Sequence, residues 1–225
     1  MVEAVQRWRI AFRRVSPALD LGPPEIARAW EIALEAADVP VLMSAAAKPR
    51  PRLTFAAPLP PGRIAEHDLA DVVLAERWPL PRLREALSAA LPAGLEVVDL
   101  YDVWLHAPSI TAVLNAMSYR ATVSGVPAAD LGLAAGTLLA ADRLDRTRTK
   151  GAEQRQSYDL RPLILGLAAN RGVVRMALRT SSDGPSGRPD ELLLALGEAA
   201  GHPLELIELV RERLWTADEV PTLAN

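Results

Sequence analysis

In this 225-residue chain, the residues whose type and spacing could do chemistry are cations set in extended segments. Lys48, Arg50 and Arg52 alternate with Pro49 and Pro51. In an extended backbone, residues two apart project to the same side, so the three charges form one row about 13 Å long that suits consecutive phosphates. A solvated edge, in which proline and lysine block strand-to-strand aggregation, uses the same residues. Arg143, Arg146, Arg148, Lys150 and Arg155 form a second cluster, relieved only by Asp145 and Glu153. Arginine there offers bidentate contacts to phosphate; unrelated solvated charges are the plainer alternative.

Acid–base and metal chemistry have thinner support. His67 sits among Glu66, Asp68 and Asp71, a carboxylate-rich metal site only if the turn folds back on itself, and otherwise a surface strand end. His106 has no histidine or cysteine at ligand spacing, and His202 after Gly201 suits a helix C-terminus. Asp159 and Arg161 lie on one side of an extended segment with Leu160 facing away. They suit either a buried pair tying strand to neighbour or a substrate-facing pair. With no cysteine, thiolate zinc sites, cysteine nucleophiles and cysteine-held iron–sulfur clusters are excluded. Gly132 and Gly136 lack the setting of a phosphate loop, and no G-x-S-x-G marks a serine nucleophile.

The composition, 50% hydrophobic and 24% charged with a net charge of -3, is that of a globular protein. Of the 25 basic residues only Lys48 and Lys150 are lysine. A mildly acidic total argues against indiscriminate binding to nucleic acid or anionic membrane, but a local patch still binds phosphate. The first residues hold no signal-peptide pattern and no stretch reaches about 18 apolar residues, so a cytoplasmic protein without a membrane partner is expected.

The positioning elements follow from periodicity. Trp8, Ile10 and Phe12 alternate with arginines and predict a half-buried strand over 7–15; Ile26, Trp30, Ala33, Leu34 and Ala37 predict a helix over 24–38. Strands near 53–57, 69–75 and 95–105 and a helix from Pro79 to Leu91 complete a β-α-β-β-α-β order. From Ser118 the pattern resumes: a strand at 119–123, a helix over 126–141, strands near 143–149, 157–165 and 173–179, a helix to Ala200 and a strand over 204–213. The expected fold class is α+β, a tandem of ferredoxin-like sandwiches with largely antiparallel sheets, divided as 1–117 and 118–214 with a frayed tail at 215–225. Both basic clusters then fall at or just before the second strand of their repeats, where two sheet edges could line one groove.

Several segments together resemble the DUF2344 type of radical SAM-associated protein. They are Glu25 to Glu31, Pro49 to Ala56, Pro58 to Gly62, Glu66 to Leu74, Ala107 to Ile110, Lys150-Gly151 and Asp159 to Ile164, spread across 7–213. The resemblance marks Arg28, Asp71, Asp159 and Arg161 as family-motif residues. The chain departs from the pattern where members carry Ser-His before the first helix, since it has Pro23 and Pro24. Where members have Gly, Asn and His before the second strand it has Ala46, Lys48 and Arg50. If those histidines hold a ligand, positive charge has replaced that chemistry here. The resemblance implies a radical SAM protein as partner, and a chain without cysteine is then an accessory that docks or presents substrate rather than the radical enzyme. No cofactor of its own is expected, and RNA is the ligand the basic edges suit. The alternatives are a stand-alone RNA-processing or RNA-modifying enzyme using Asp20, Asp159 or His67, and a non-catalytic scaffold.

Overall fold

The computed structural model describes residues 3–150, 154–181 and 184–223, and of 148–150 and 154–156 the backbone alone. The chain forms a mixed α+β fold that divides into two compact units, Met1–Val113 and Leu114–Asn225.

In the first unit, β1 (Gln6–Arg14), β2 (Leu53–Phe55), β3 (Ile64–Leu74) and β4 (Leu95–Asp102) pair antiparallel in the order β4-β1-β3-β2. The helices are α1 (Pro23–Ala36), α2 (Leu80–Ala90) and a single turn, α3 (Ile110–Val113). Gly22 in extended conformation, prolines at the first two helical positions and Glu25 in the first turn start α1. Its buried residues Ile26, Trp30, Ala33 and Leu34 recur at three- and four-residue spacing and cover Trp8, Ile10 and Phe12 of β1. Phe12, Trp30 and Phe55 meet edge to face, with ring centroids 5.1 to 6.5 Å apart. Residues 41–53 form a further hairpin arm: Met43 bridges Pro51, the Ser44 amide donates to the Arg50 carbonyl and the Arg50 amide to the Ser44 hydroxyl.

The second unit repeats this sheet order. Strands β5 (Leu114–Ser124), β8 (Ile164–Asn170), β9 (Val173–Arg179) and β10 (Glu205–Thr216) run antiparallel as β10-β5-β9-β8, with α4 (Ala128–Ala140) and α5 (Pro189–Ala200). The added element is a hairpin of β6 (Asp145–Lys150) and β7 (Gln154–Asp159), a two-stranded sheet of its own. The core gathers Leu131, Leu138, Leu160, Met176, Leu192 and Leu196.

Three expectations are corrected. The single strand over 157–165 is broken by a 3-10 turn at Arg161–Leu163, because Pro162 has no N–H to give a ladder and fixes its own φ. The second basic cluster therefore lies on an inserted hairpin, not at the sheet strand β8. Strand β10 runs on through Trp215, whose indole is buried and donates to Ser118 at 2.6 Å. Beyond it Glu219 accepts from the Thr216 amide and hydroxyl, and Leu223 packs on Gly166, so the described tail is anchored rather than frayed.

Candidate nucleic-acid interface

The hairpin arm and α1 face each other across a groove of about 760 Å³. Pro24, Ala27, Arg28, Glu31 and Glu35 line it from the helix, and Val41, Met43 and the Pro49-Arg50-Pro51 run from the arm. Two of the segments that carry the family resemblance thus become opposite walls. Lys48, Arg50 and Arg52 are exposed and make no ion pair among the described residues. Arg28 on the helix wall is held by Glu31 at 3.3 Å, so the uncommitted positive charge lies on the arm.

The second cluster differs. Arg143 pairs with Asp145 at 2.7 Å, and Arg146, only 15% exposed in its side chain, pairs with Glu198 of α5 at 2.7 Å. In the hairpin register Arg148 stands opposite Gln156, Lys150 opposite Gln154 and Arg155 opposite Thr149. The side chains of Arg148, Lys150 and Arg155 lie outside the described residues.

Asp71 is a structural junction. In register with Arg9, it accepts from Arg9 Nε at 2.8 Å and Nη2 at 3.1 Å, and from the Ile110 amide that opens α3 at 3.2 Å. Arg7 Nε stands 4.0 Å from the same carboxylate, and Arg7 Nη2 donates to the carbonyls of Trp104 and Pro108. Arg7 and Arg9 of β1 therefore do not face water as the alternation implied, whereas Arg13 does. The β4–α3 loop covers Arg7, and it holds Trp104 out at 73% exposure with the His106 ring 5.0 Å away.

Asp159 and Arg161 do not pair with each other. Asp159 Oδ1 accepts from the amides of Leu144 and Arg161, closing the base of the β6–β7 hairpin. Arg161 donates from Nε and Nη2 to the Leu139 carbonyl at the end of α4, satisfying an orphan helix acceptor. The hydrogen bond from the Leu144 amide holds the Asp159 carboxyl below its ordinary pKa; burial opposes this, and the Arg161 amide and the charges of Arg143 and Arg161 add to it.

His67 lies within β3 rather than at its end, where the pairing of Phe12 with Asp68 and of Arg14 with Ala65 sets Glu66 and His67 together opposite Arg13 in a bulge. Among the described residues no group of three or more histidines and carboxylates could hold a metal. His202 Nε2 stands 3.9 Å from Asp130 beyond the end of α5. Asp20 falls on a 3-10 turn before α1.

Sequence reasoning missed a second cavity, of about 150 Å³, at the first turn of α1. Phe12, Ile26, Phe55 and Leu59 line it together with two charged residues, Arg14 and Asp68, both buried. Arg14 donates five hydrogen bonds to the carbonyls of Leu21, Leu59, Pro60 and Arg63, which fixes the proline-rich 58–63 loop. The signal available was the pairing of arginines in one strand with acids in another, but the register joining them is long-range.

A family model described as "Uncharacterized protein conserved in bacteria (DUF2344)" matches residues 7–189 of this chain. The chain belongs to the DUF2344 family. No curated protein matches this DUF2344 chain. Among solved structures it is similar to a chain of a Cbf5-Nop10-Gar1 complex, with TM-score 0.49 and 11% identity over 91% of this chain and 49% of that one. It is also similar to a chain of the archaeal box H/ACA sRNP Nop10-Cbf5 complex, with TM-score 0.44 and 9% identity over 91% and 48%. The DUF2344 chain spans about half the length of either. No described helix is long and apolar enough to cross a membrane.

Proposed function

We propose that this DUF2344 protein is a docking and substrate-presenting module whose first unit binds RNA along the 41–53 arm. What supports this is the contrast between the two basic clusters. Lys48, Arg50 and Arg52 are exposed and lack a carboxylate among the described residues, beside a groove deep enough to take part of a polymer, whereas Arg143 and Arg146 are already neutralised. An unpaired guanidinium has all five donors for phosphate, and a paired one must first release its partner. Glu35 on the helix wall would repel a phosphate backbone, so the backbone tracks the arm and the bases turn towards α1.

Each unit is proposed to be a ferredoxin-like sandwich: the orders β4-β1-β3-β2 and β10-β5-β9-β8 are the same arrangement, with one hairpin inserted in the second. The enzyme that this module serves is proposed, on the resemblance set out above, to be a radical SAM protein. Co-purification from the native cell tests that partner; recovery of no radical SAM protein after mild cross-linking would reject it. For RNA, binding of a short single strand is measured at two salt concentrations for the natural chain and a Lys48→Ala, Arg50→Ala, Arg52→Ala variant. Weaker and less salt-sensitive binding by the variant is expected, and unchanged binding would reject the arm as the docking surface.

A further inference from the structure

We infer that the cavity at the first turn of α1 binds a single six-membered ring bearing an exocyclic amine, which within RNA is cytosine. The polymeric source of the ring rests on the docking proposal above; the ring's chemistry rests on the cavity alone.

Size is the first constraint. The cavity holds about 150 Å³. A void of about 150 Å³ takes up benzene, so one ring fits here and a fused two-ring purine does not. The walls supply the second. Phe12 and Phe55 stand 5.9 Å apart at 80°, and with Ile26 and Leu59 they give apolar surfaces against which either face of a planar ring can lie.

Polarity is the third constraint. The charged groups in the lining are Asp68, 6% exposed, and Arg14, 2% exposed. An ionised carboxylate only accepts, and it has about four lone-pair positions, so it can take a ligand N–H while holding other partners. It accepts from the cytosine N4 amine and is repelled by the O4 oxygen of uracil in the same place. The five carbonyl bonds of Arg14 set the 58–63 wall before any ligand arrives.

Access agrees with the docking proposal. Exposed Pro23 and Pro58 stand among the lining residues. Groove and cavity are both walled by α1 on one side and by the 49–59 segment on the other. Phe55 follows Arg52 by three residues, about 10 Å of strand, so a strand whose phosphates sit at Arg50 and Arg52 has a base within reach of the cavity.

The experiment compares oligocytidylate with oligouridylate of equal length by fluorescence anisotropy, and free cytidine with free uridine by the NMR shifts of the Phe12 and Phe55 rings. The natural chain is expected to prefer oligocytidylate about fivefold, the low end of what one good base contact gives. In Asp68→Asn, whose amide can also donate to O4, that ratio should fall towards unity. Because the ratio is taken within one protein, partial unfolding of the variant cancels. Phe55→Leu, which keeps the bulk but removes the ring, should lose the cytidine response.

Equal affinity for the two oligomers by the natural chain, with RNA binding intact, overturns this inference and leaves the docking surface standing. If neither oligomer binds, the docking proposal fails and the nucleosides decide: selective ring shifts with cytidine uphold the cavity as a site for the free nucleoside, and their absence overturns it.

Discussion

Replacing Asp71 by alanine tests whether a buried charge network holds the β4–α3 loop. The carboxylate is 4% exposed and receives both Arg9 donors and the Ile110 amide, with Arg7 4.0 Å away. Its loss leaves two largely buried guanidiniums facing each other without a counter-charge. Removing one partner of a buried pair costs roughly 3–5 kcal/mol, a large share of the about 5–15 kcal/mol that holds a domain together. For a unit of this size, 3 kcal/mol at about 4 °C per kcal/mol lowers the first unit's melting point by ~12 °C or more. The assay is thermal and urea unfolding of Asp71→Ala, with exchange of the Ile110 amide as the local readout. Arg84→Ala is the control, since the Arg84–Asp99 pair is 38% and 46% exposed and such pairs contribute about 1 kcal/mol or less. A loss for Asp71→Ala no larger than the control's, with Ile110 still protected, refutes the reasoning.

Arg161→Lys should destabilise the second unit by about 1–2 kcal/mol, since a lysine cannot reproduce the two-donor fork on the Leu139 carbonyl; urea unfolding equal to the natural chain's would contradict this. Asp159, whose pKa the Leu144 amide lowers, stabilises the second unit fully above the ordinary carboxylate value of about 4, and that contribution is lost as pH falls through the lower folded-state value. Unfolding curves should accordingly show the natural chain losing its advantage over Asp159→Asn on acidification below about pH 4, and a constant difference would be the adverse result. Gly94→Ala should destabilise the first unit by more than about 1 kcal/mol, because φ is +88° there and a Cβ would stand 2.6 Å from the Val15 carbonyl and the Ala18 amide; unchanged melting counts against it.

How much of the fold is legible in the sequence differs by element. Helix α5 begins at Pro189 and ends at Ala200 as its Pro-Asp-Glu start and terminal Gly201 imply, because both signals act within one turn of chain. Strand β3 is longer than its apolar run: Ile64 to Asp68 are recruited by pairing with β1, and no local propensity records a partner more than fifty residues away. Periodicity runs the end of β7 into β8 as one strand over 157–165, because Leu160, Leu163, Ile164 and Leu165 carry the apolar pattern across Pro162, where the ladder breaks.

For the site, the exposure of Lys48, Arg50 and Arg52 follows from their alternation with prolines. Whereas Arg143 meets Asp145 only two residues along the chain, the pairing of Arg146 is not legible in the sequence, because its partner Glu198 comes from a helix some fifty residues on. The cavity is hidden for the same reason. Arg14, Phe55 and Asp68 come from three strands and Ile26 from α1, and only the packed unit brings them together.

The docking surface is tested most directly by the salt dependence of single-stranded RNA binding in two triple variants. One removes Lys48, Arg50 and Arg52; the other changes Arg143, Arg146 and Arg148 to alanine. The slope of log affinity against log salt falls by about 0.7 for each phosphate that is no longer neutralised, so it should drop by about 2 in the first variant. It should stay near the natural value in the second. Equal drops in both, or a larger drop in the second, would contradict the assignment of RNA binding to the 41–53 arm.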